Sequence, residues 1–325
     1  MKVTREVSVR WFGGLIVWGV SAVLSFAAAQ TVPARYLLTG TLGGEQVQLE
    51  LVLSPDKVTG TLLGTPLQNL QGEQTRDGKI HLSGAGLNLT GRLPEPFLDR
   101  RDKAQTFSGT LANGDPFSLK LAASYTVRRT EQGPFLQTRT EVPFWLIVPW
   151  RKLNGRLEGY TAAPTTAFIR DAQRLASKGE LAYPYTYESA LEPTLWSSDT
   201  LSLLETSFYY TGGAHPNTGY RSLTFHRTGK EVVRLGLKDL FLPRAAYLPV
   251  LLREIDRKLR ARHAAWIEDG SVKLKERDFS VFNLTERGLE FTFAPYAVAP
   301  YAQGKFAITV PYTKLQGLLK PGLLP

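Results

Sequence analysis

One short phrase recurs four times along the first third of the chain: LTGTL at Leu38–Leu42, VTGTL at Val58–Leu62, LTGRL at Leu89–Leu93 and FSGTL at Phe107–Leu111. Turn signals separate the copies, at Gly43-Gly44, Asp77-Gly78 and Asn113-Gly114. The last is flanked by apolar residues, a strong hairpin signal. In QVQLELVL, residues Val47, Leu49 and Leu51 share one face of a strand, and Gln48, Glu50 and Val52 share the other. This pattern predicts a β-meander over residues 30–123, closed into a small barrel or curled into an open sheet. Threonine and glycine at matched points predict regular strand pairing, not chemistry. A charged, proline-rich loop, PEPFLDRRDK, precedes the last hairpin.

After Ala123 the pattern changes. SYTVRRT and the apolar PFWLIVPW read as strands, with Trp145 and Trp150 as core residues. PTTAFIRDAQRLASKG reads as a helix capped by Thr165 or Thr166. Its apolar face is Phe168, Ile169, Ala172, Leu175 and Ala176, and Gly179 stops it. Strands are expected around YPYTYESALEP, DTLSLLETSFYYT and YRSLTFHRTG. A second helix carries Leu248, Leu251, Leu252, Ile255 and Leu259 toward the core, with Arg253, Arg257, Lys258, Arg260 and Arg262 opposite. A hairpin FSVFNLTERGLEFTF, the loop PYAVAPYAQG and a strand FAITVPY follow. The order predicts an α+β fold, with two main helices packed on a largely antiparallel sheet across residues 124–325.

Composition narrows the chemistry. The 325 residues contain no cysteine, which excludes disulfides, thiolate nucleophiles and cysteine metal sites. Lys2, Arg5 and Arg10 precede the uncharged WFGGLIVWGVSAVLSF, and the small residues Ala27, Ala28 and Ala29 follow. That order predicts a secretory signal peptide over residues 1–29, cleaved after Ala29, with an uncleaved anchor as the rival. The mature chain is expected to be exported, periplasmic or secreted, with no stable membrane span. The formal charge of +10 falls to +8 once the three bases and one acid of residues 1–29 are removed. Outside the cytoplasm this points away from nucleic acid and toward anionic envelope polymers such as peptidoglycan. A basic surface that only aids solubility is an equal reading.

The stretch FYYTGGAHPNTGY, Phe208–Tyr220, admits two readings. In one, His215 is a general base beside Tyr209 or Tyr210. In the other, Gly212 and Gly213 open a tight reversal that Pro216 and Asn217 complete. No partner of recognisable spacing accompanies His215, so a turn or ligand-contact role is favoured. His81, His215, His226 and His263 form no HxxxH or HxxE pair, so no metal is expected. No phosphate-cradling loop, dinucleotide fingerprint or nucleophile elbow occurs, and no cofactor is implied. The second stretch of interest is PYAVAPYAQG, whose Pro-Tyr steps present Tyr296 and Tyr301 on a stiff backbone before Gly304. Such an aromatic platform stacks on sugars or seats a protein; the alternative is an edge loop whose tyrosines cover the core.

Four phrases together carry a resemblance: YYTGGAHPN (Tyr209–Asn217), TGKEVVRLGLKDLF (Thr228–Phe241), GLEFTFAPYAVAPYAQG (Gly288–Gly304) and ITVPYTKL (Ile308–Leu315). Residues 203–315 resemble the bacterial extracytoplasmic domain of unknown function 3298. That domain type also occurs as the sensor part of a lysozyme-recognising anti-sigma factor and beside peptidoglycan deacetylase domains. The resemblance implies an envelope protein that binds a cell-wall glycan or an extracytoplasmic protein without catalysis. Only ten residues precede the apolar stretch, so no sigma-binding segment is expected, and no deacetylase metal motif is present. A charge of the same sign as lysozyme's counts against that particular partner. The alternative is a cell-wall glycan hydrolase with a site at the GGAH and PYAQG loops; whether the chain is an enzyme stays open at this point. Candidate ligand contacts are Tyr209, Tyr210, Gly212, Gly213, His215, Asn217, Tyr296, Tyr301 and Gly304.

Overall fold

Apolar side chains on one face of seven successive strands, from Tyr36 to Phe107, form one lining. In the computed structural model these strands are β1 (Ala34–Leu42), β2 (Glu45–Leu53), β3 (Val58–Leu62), β4 (Gln68–Gln74), β5 (Lys79–Gly84), β6 (Leu87–Arg92) and β7 (Thr106–Leu111). Each pairs antiparallel with the next, and β8 (Pro116–Gln132) pairs with both β7 and β1. The meander is therefore closed into an eight-stranded barrel. Its interior holds Leu38, Leu49, Leu51, Leu70, Ile80, Leu82, Phe107 and Leu119, all buried. Filled this way, the interior is a packed core.

The recurring glycine now has a cause. Gly40, Gly60, Gly91 and Gly109 occupy inward positions in register with the buried Leu38, Val58, Leu89 and Phe107, while the flanking threonines face out. A side chain at Gly91 would meet the rings of Phe107 and Phe117 at 2.6 and 2.9 Å. The phrase is a packing repeat that lets a narrow barrel fill with large side chains elsewhere.

The structure describes residues 34–323 except for 55–56, 64–67, 76–77, 85, 93–105, 133–134 and 182; before residue 34 it describes only Ser8–Val9 paired antiparallel with Trp18–Gly19. The signal-peptide reading and the PEPFLDRRDK loop lie outside the described residues. Among the described residues no helix is long and apolar enough to cross a membrane.

Strand β8 is 17 residues long and belongs to two structures at once. Its first half closes the barrel; after a bulge between Leu121 and Ala123, its second half pairs with β9 (Leu136–Trp145). The sheet continues through β10 (Tyr185–Trp196), β11 (Thr200–Tyr210), β12 (Asn217–Thr228) and β13 (Glu231–Leu235). Among the described strands only β9 and β10 pair in parallel, and helix α1 (Asn154–Ser177) lies between them in sequence. Arg35 ties the barrel to this sheet, bonding Glu50 of β2, Glu141 of β9 and Glu192 of β10 over the ring of Tyr125. A separate three-stranded sheet, β14 (Phe282–Thr285), β15 (Gly288–Phe293) and β16 (Phe306–Pro311), packs with helix α2 (Tyr247–Ala261). The α+β reading with two main helices stands.

Two local expectations are corrected. Helix α1 does not begin at Thr165 or Thr166 but at Asn154, and it runs through Pro164. Proline removes the N–H that would reach the Tyr160 carbonyl; Arg221 of β12 supplies a donor to that carbonyl instead, at 3.3 Å. Thr165 bonds back to the Thr161 carbonyl rather than capping. Gly179 does stop the helix, at φ +70°. Likewise PFWLIVPW is not all strand: β9 ends at Trp145, and Trp150 sits in a 3₁₀ turn with its indole N–H on the Ser197 carbonyl at 2.8 Å. Both tryptophans are fully buried, as core residues should be.

The basic face of α2 is largely consumed locally. Arg257 pairs with Glu254 and Arg260 with Asp256, while Lys258 and Arg262 donate to the Thr309 and Ala307 carbonyls of β16 at 2.7 Å each. Those carbonyls lie on the open edge of the small sheet, so the cations guard an edge that would otherwise pair with another chain. The double variant Lys258→Ala/Arg262→Ala should therefore self-associate. Light scattering over a concentration series should show a mass that rises with concentration, where the parent protein shows none.

Candidate functional site

Strands β11 and β12 form a hairpin whose register ends at Tyr209 opposite Asn217. The six residues between them contain Gly212 and Gly213, both at φ +97°, which side-chain-bearing residues rarely adopt. The Tyr183 ring lies where a Gly212 side chain would be, 2.7 Å from the position of its Cβ. Tyr210 closes the turn by donating its hydroxyl to the Gly213 carbonyl at 3.1 Å. The GGAHPN stretch is thus a built reversal with His215 at its tip.

The PYAVAPYAQG loop reaches this tip from 81 residues away in sequence. Val298 and Ala299 are buried and anchor it, and Gln303 bonds both the Ala265 N–H and the His263 carbonyl. Tyr301 stacks on the His215 imidazole, with centroids 3.8 Å apart and planes 16° from parallel. Its hydroxyl donates to the Pro216 carbonyl at 2.9 Å. The same carbonyl lies 2.9 Å from His215 Nδ1. A carbonyl can only accept, so Nδ1 carries a proton, and in the neutral tautomer this leaves Nε2 as an acceptor. Nε2 lies 3.2 Å from the Tyr296 hydroxyl, which donates to it in that tautomer.

Tyr296 is the residue this network displays. Its backbone is at φ +67°, unusual for an aromatic residue, and its side chain stays 52% exposed. The Trp266 ring lies 6.4 Å from it at 25°. Lys305 stands 5.5 Å over the Tyr220 ring, and burial raises the Tyr220 phenol above its ordinary range.

His215, Tyr296 and Tyr301 are thus brought together, with Tyr210, Gly212, Gly213 and Gly304 shaping the two loops. Tyr209 and Asn217 are cross-strand partners on the sheet face opposite to Tyr210, so they do not join the cluster. Trp266 and Tyr183 escaped the sequence reading, because no motif or spacing links them to either loop. The other histidines bond separate neighbours: His81 meets Thr90, His226 meets Thr200 and His263 meets Glu268. Among the described residues no three His, Asp or Glu side chains converge as a metal site would require.

Residues 238–313 match the family model described as a protein of unknown function, DUF3298. The chain carries a DUF3298 domain. The match is narrower than the resemblance over 203–315: it takes in Trp266, Tyr296 and Tyr301 but begins after the hairpin that bears His215. Two solved structures are similar. One, a DUF3298 family protein from Pseudomonas aeruginosa PAO1, is 16% identical, with 62% of this chain and 95% of that one covered at a TM-score of 0.47. The other, a DUF3298 family member from Bacteroides fragilis NCTC 9343, is 18% identical, covering 61% and 94% at a TM-score of 0.45. No curated protein sequence matches.

Proposed function

We propose that this protein is a non-enzymatic binding module of the cell envelope that takes a cell-wall glycan on the face of Tyr296. One observation carries the reading. Tyr296 is held ring-outward by a strained backbone and by its bond to His215, and the stacked Tyr301 fixes His215 in turn. A rigid, exposed aromatic face with a polar tip stacks on a sugar ring at little entropic cost. The leader pattern of residues 1–29 supports export, which would bring the platform to the wall.

The hydrolase alternative is less well supported. Both ring nitrogens of His215 are engaged, one by a carbonyl and one by a phenol, and neither partner is a nucleophile or a carboxylate. The test is co-sedimentation of the purified protein with peptidoglycan sacculi at low and moderate salt, with analysis of released fragments. Binding should persist at moderate salt with no fragments, and Tyr296→Ala should weaken it about tenfold, the worth of one aromatic stacking contact. Tyr296→Phe should retain most of it. Fragments whose release is lost in His215→Ala would replace the binding reading with the hydrolase. No binding at either salt would redirect the search to a protein partner.

A further inference from the structure

Lys152, in the 3₁₀ turn before helix α1, and Arg156 and Tyr160 of its first turns come at every fourth residue and meet β12 and the turn that follows it. Lys152 donates to the Lys230 carbonyl at 3.3 Å, in the turn between β12 and β13. Arg156 lies 5.4 Å over the Phe225 ring. Phe225 is the cross-strand partner of Arg234, so Arg234 shares its sheet face. Arg221 lies 4.1 Å over the Tyr160 ring. Burial raises the Tyr160 phenol, Arg221 and Arg234 act against that rise, and Glu205 adds to it.

Lys152, Arg156, Lys230 and Arg234 thus line one exposed strip between the start of α1 and the edge strand β13. The nearby carboxylates are spent or turned away. Glu158 pairs with Arg128, Asp199 with Arg227 and Glu205 with Arg221; Asp239, which lines one cavity with Arg234, accepts the Gly236 N–H; and Glu231, opposite Thr228, is on the other sheet face. Exposed Val233 is on that other face too, partnered with His226.

We infer that this strip binds a linear, phosphate-bearing polyanion. Four cations without carboxylate partners, two of them guanidinium forks, match a polymer with regularly spaced oxyanions. The strip has no protruding apolar side chain to enter a bilayer, which favours a polymer over a lipid surface. The inference concerns a surface distinct from the Tyr296 platform and does not depend on the glycan reading.

Labelled inorganic polyphosphate is the probe, with anisotropy measured on the intact protein over a salt series. Arg156→Gln/Arg234→Gln should weaken binding about tenfold and flatten the dependence on salt, because fewer counterions are released. Lys152→Gln/Lys230→Gln should do the same, which guards against a folding defect in the first pair. Arg257→Gln/Arg260→Gln, with the same loss of charge on α2, should change affinity by less than about twofold, and Tyr296→Ala should leave it unchanged. Equal losses in all three double variants would mean bulk attraction and would overturn the site. So would no binding to polyphosphate, or binding to phosphatidylglycerol vesicles alone.

Discussion

Gly109→Ala should cost about 4 kcal/mol or more, at the destabilising extreme for a single methyl group. Gly109 of β7 faces Gly91 of β6 directly, and an added Cβ would lie 1.9 Å from the Thr90 carbonyl oxygen and 2.5 Å from the Gly91 Cα. Both obstacles are backbone, so no rotamer change relieves them; the strands must part, which breaks ladder bonds that close the barrel. Gly72→Ala should behave alike, since its Cβ would meet the His81 carbonyl oxygen at 1.7 Å. Gly60→Ala provides the graded control. Its nearest obstacle is Leu49 Cδ1 at 3.2 Å, a side-chain tip that can shift, and a cost of about 1 kcal/mol is expected. Urea midpoints of the three variants check the ranking; equal losses would show that the glycines matter for chain entropy and not for close approach.

The second large effect is at Arg221. Glu205 is only 1% exposed and is held by Arg221, whose Nε donates at 2.5 Å. The same guanidinium covers the Tyr160 ring and bonds the carbonyl that Pro164 leaves without a donor. Arg221→Met would strand a buried carboxylate, at a cost of about 3 kcal/mol, toward the low end for such pairs because Arg221 itself is 41% exposed. Burial already raises the Glu205 pKa, with Arg221 opposing it. A raised folded-state pKa means the native form holds its proton more tightly than the unfolded chain, so stability falls as pH rises through that range. Without Arg221 this slope should steepen, and the deficit should shrink in acid. Adding Glu205→Gln to Arg221→Met should recover most of the loss, since it removes the unpaired charge. Thermal melts at two pH values check all of this; a deficit independent of pH would assign the cost to lost packing over Tyr160.

These predictions sit where sequence and structure part company. The hairpins and the inward leucines were legible because strand alternation and turn residues are local signals, each read within about ten residues. The stripe of Leu251, Ile255 and Leu259 was legible for the same reason. Local signals misplaced the start of α1, because Thr165 beside Pro164 looks like a cap until Arg221, from a distant strand, satisfies the carbonyl the proline abandons. They also placed the cations of α2 opposite its apolar stripe without showing what those cations meet. Only the fold shows that Lys258 and Arg262 are spent on the carbonyls of β16.

The candidate site divides in the same way. Sequence alone determined that residues 211–216 must reverse the chain and that two Pro-Tyr steps would stiffen the later loop, since glycine and proline restrict backbone angles wherever they occur. It likewise determined the α+β class, because period and punctuation are properties of the chain. Tertiary structure alone decided that β8 closes the barrel, that glycines face glycines across β6 and β7, and that Tyr301 stacks on His215 while Tyr296 is held outward. Each of these depends on contacts between distant residues, which are set by how whole faces pack, and no local preference encodes them.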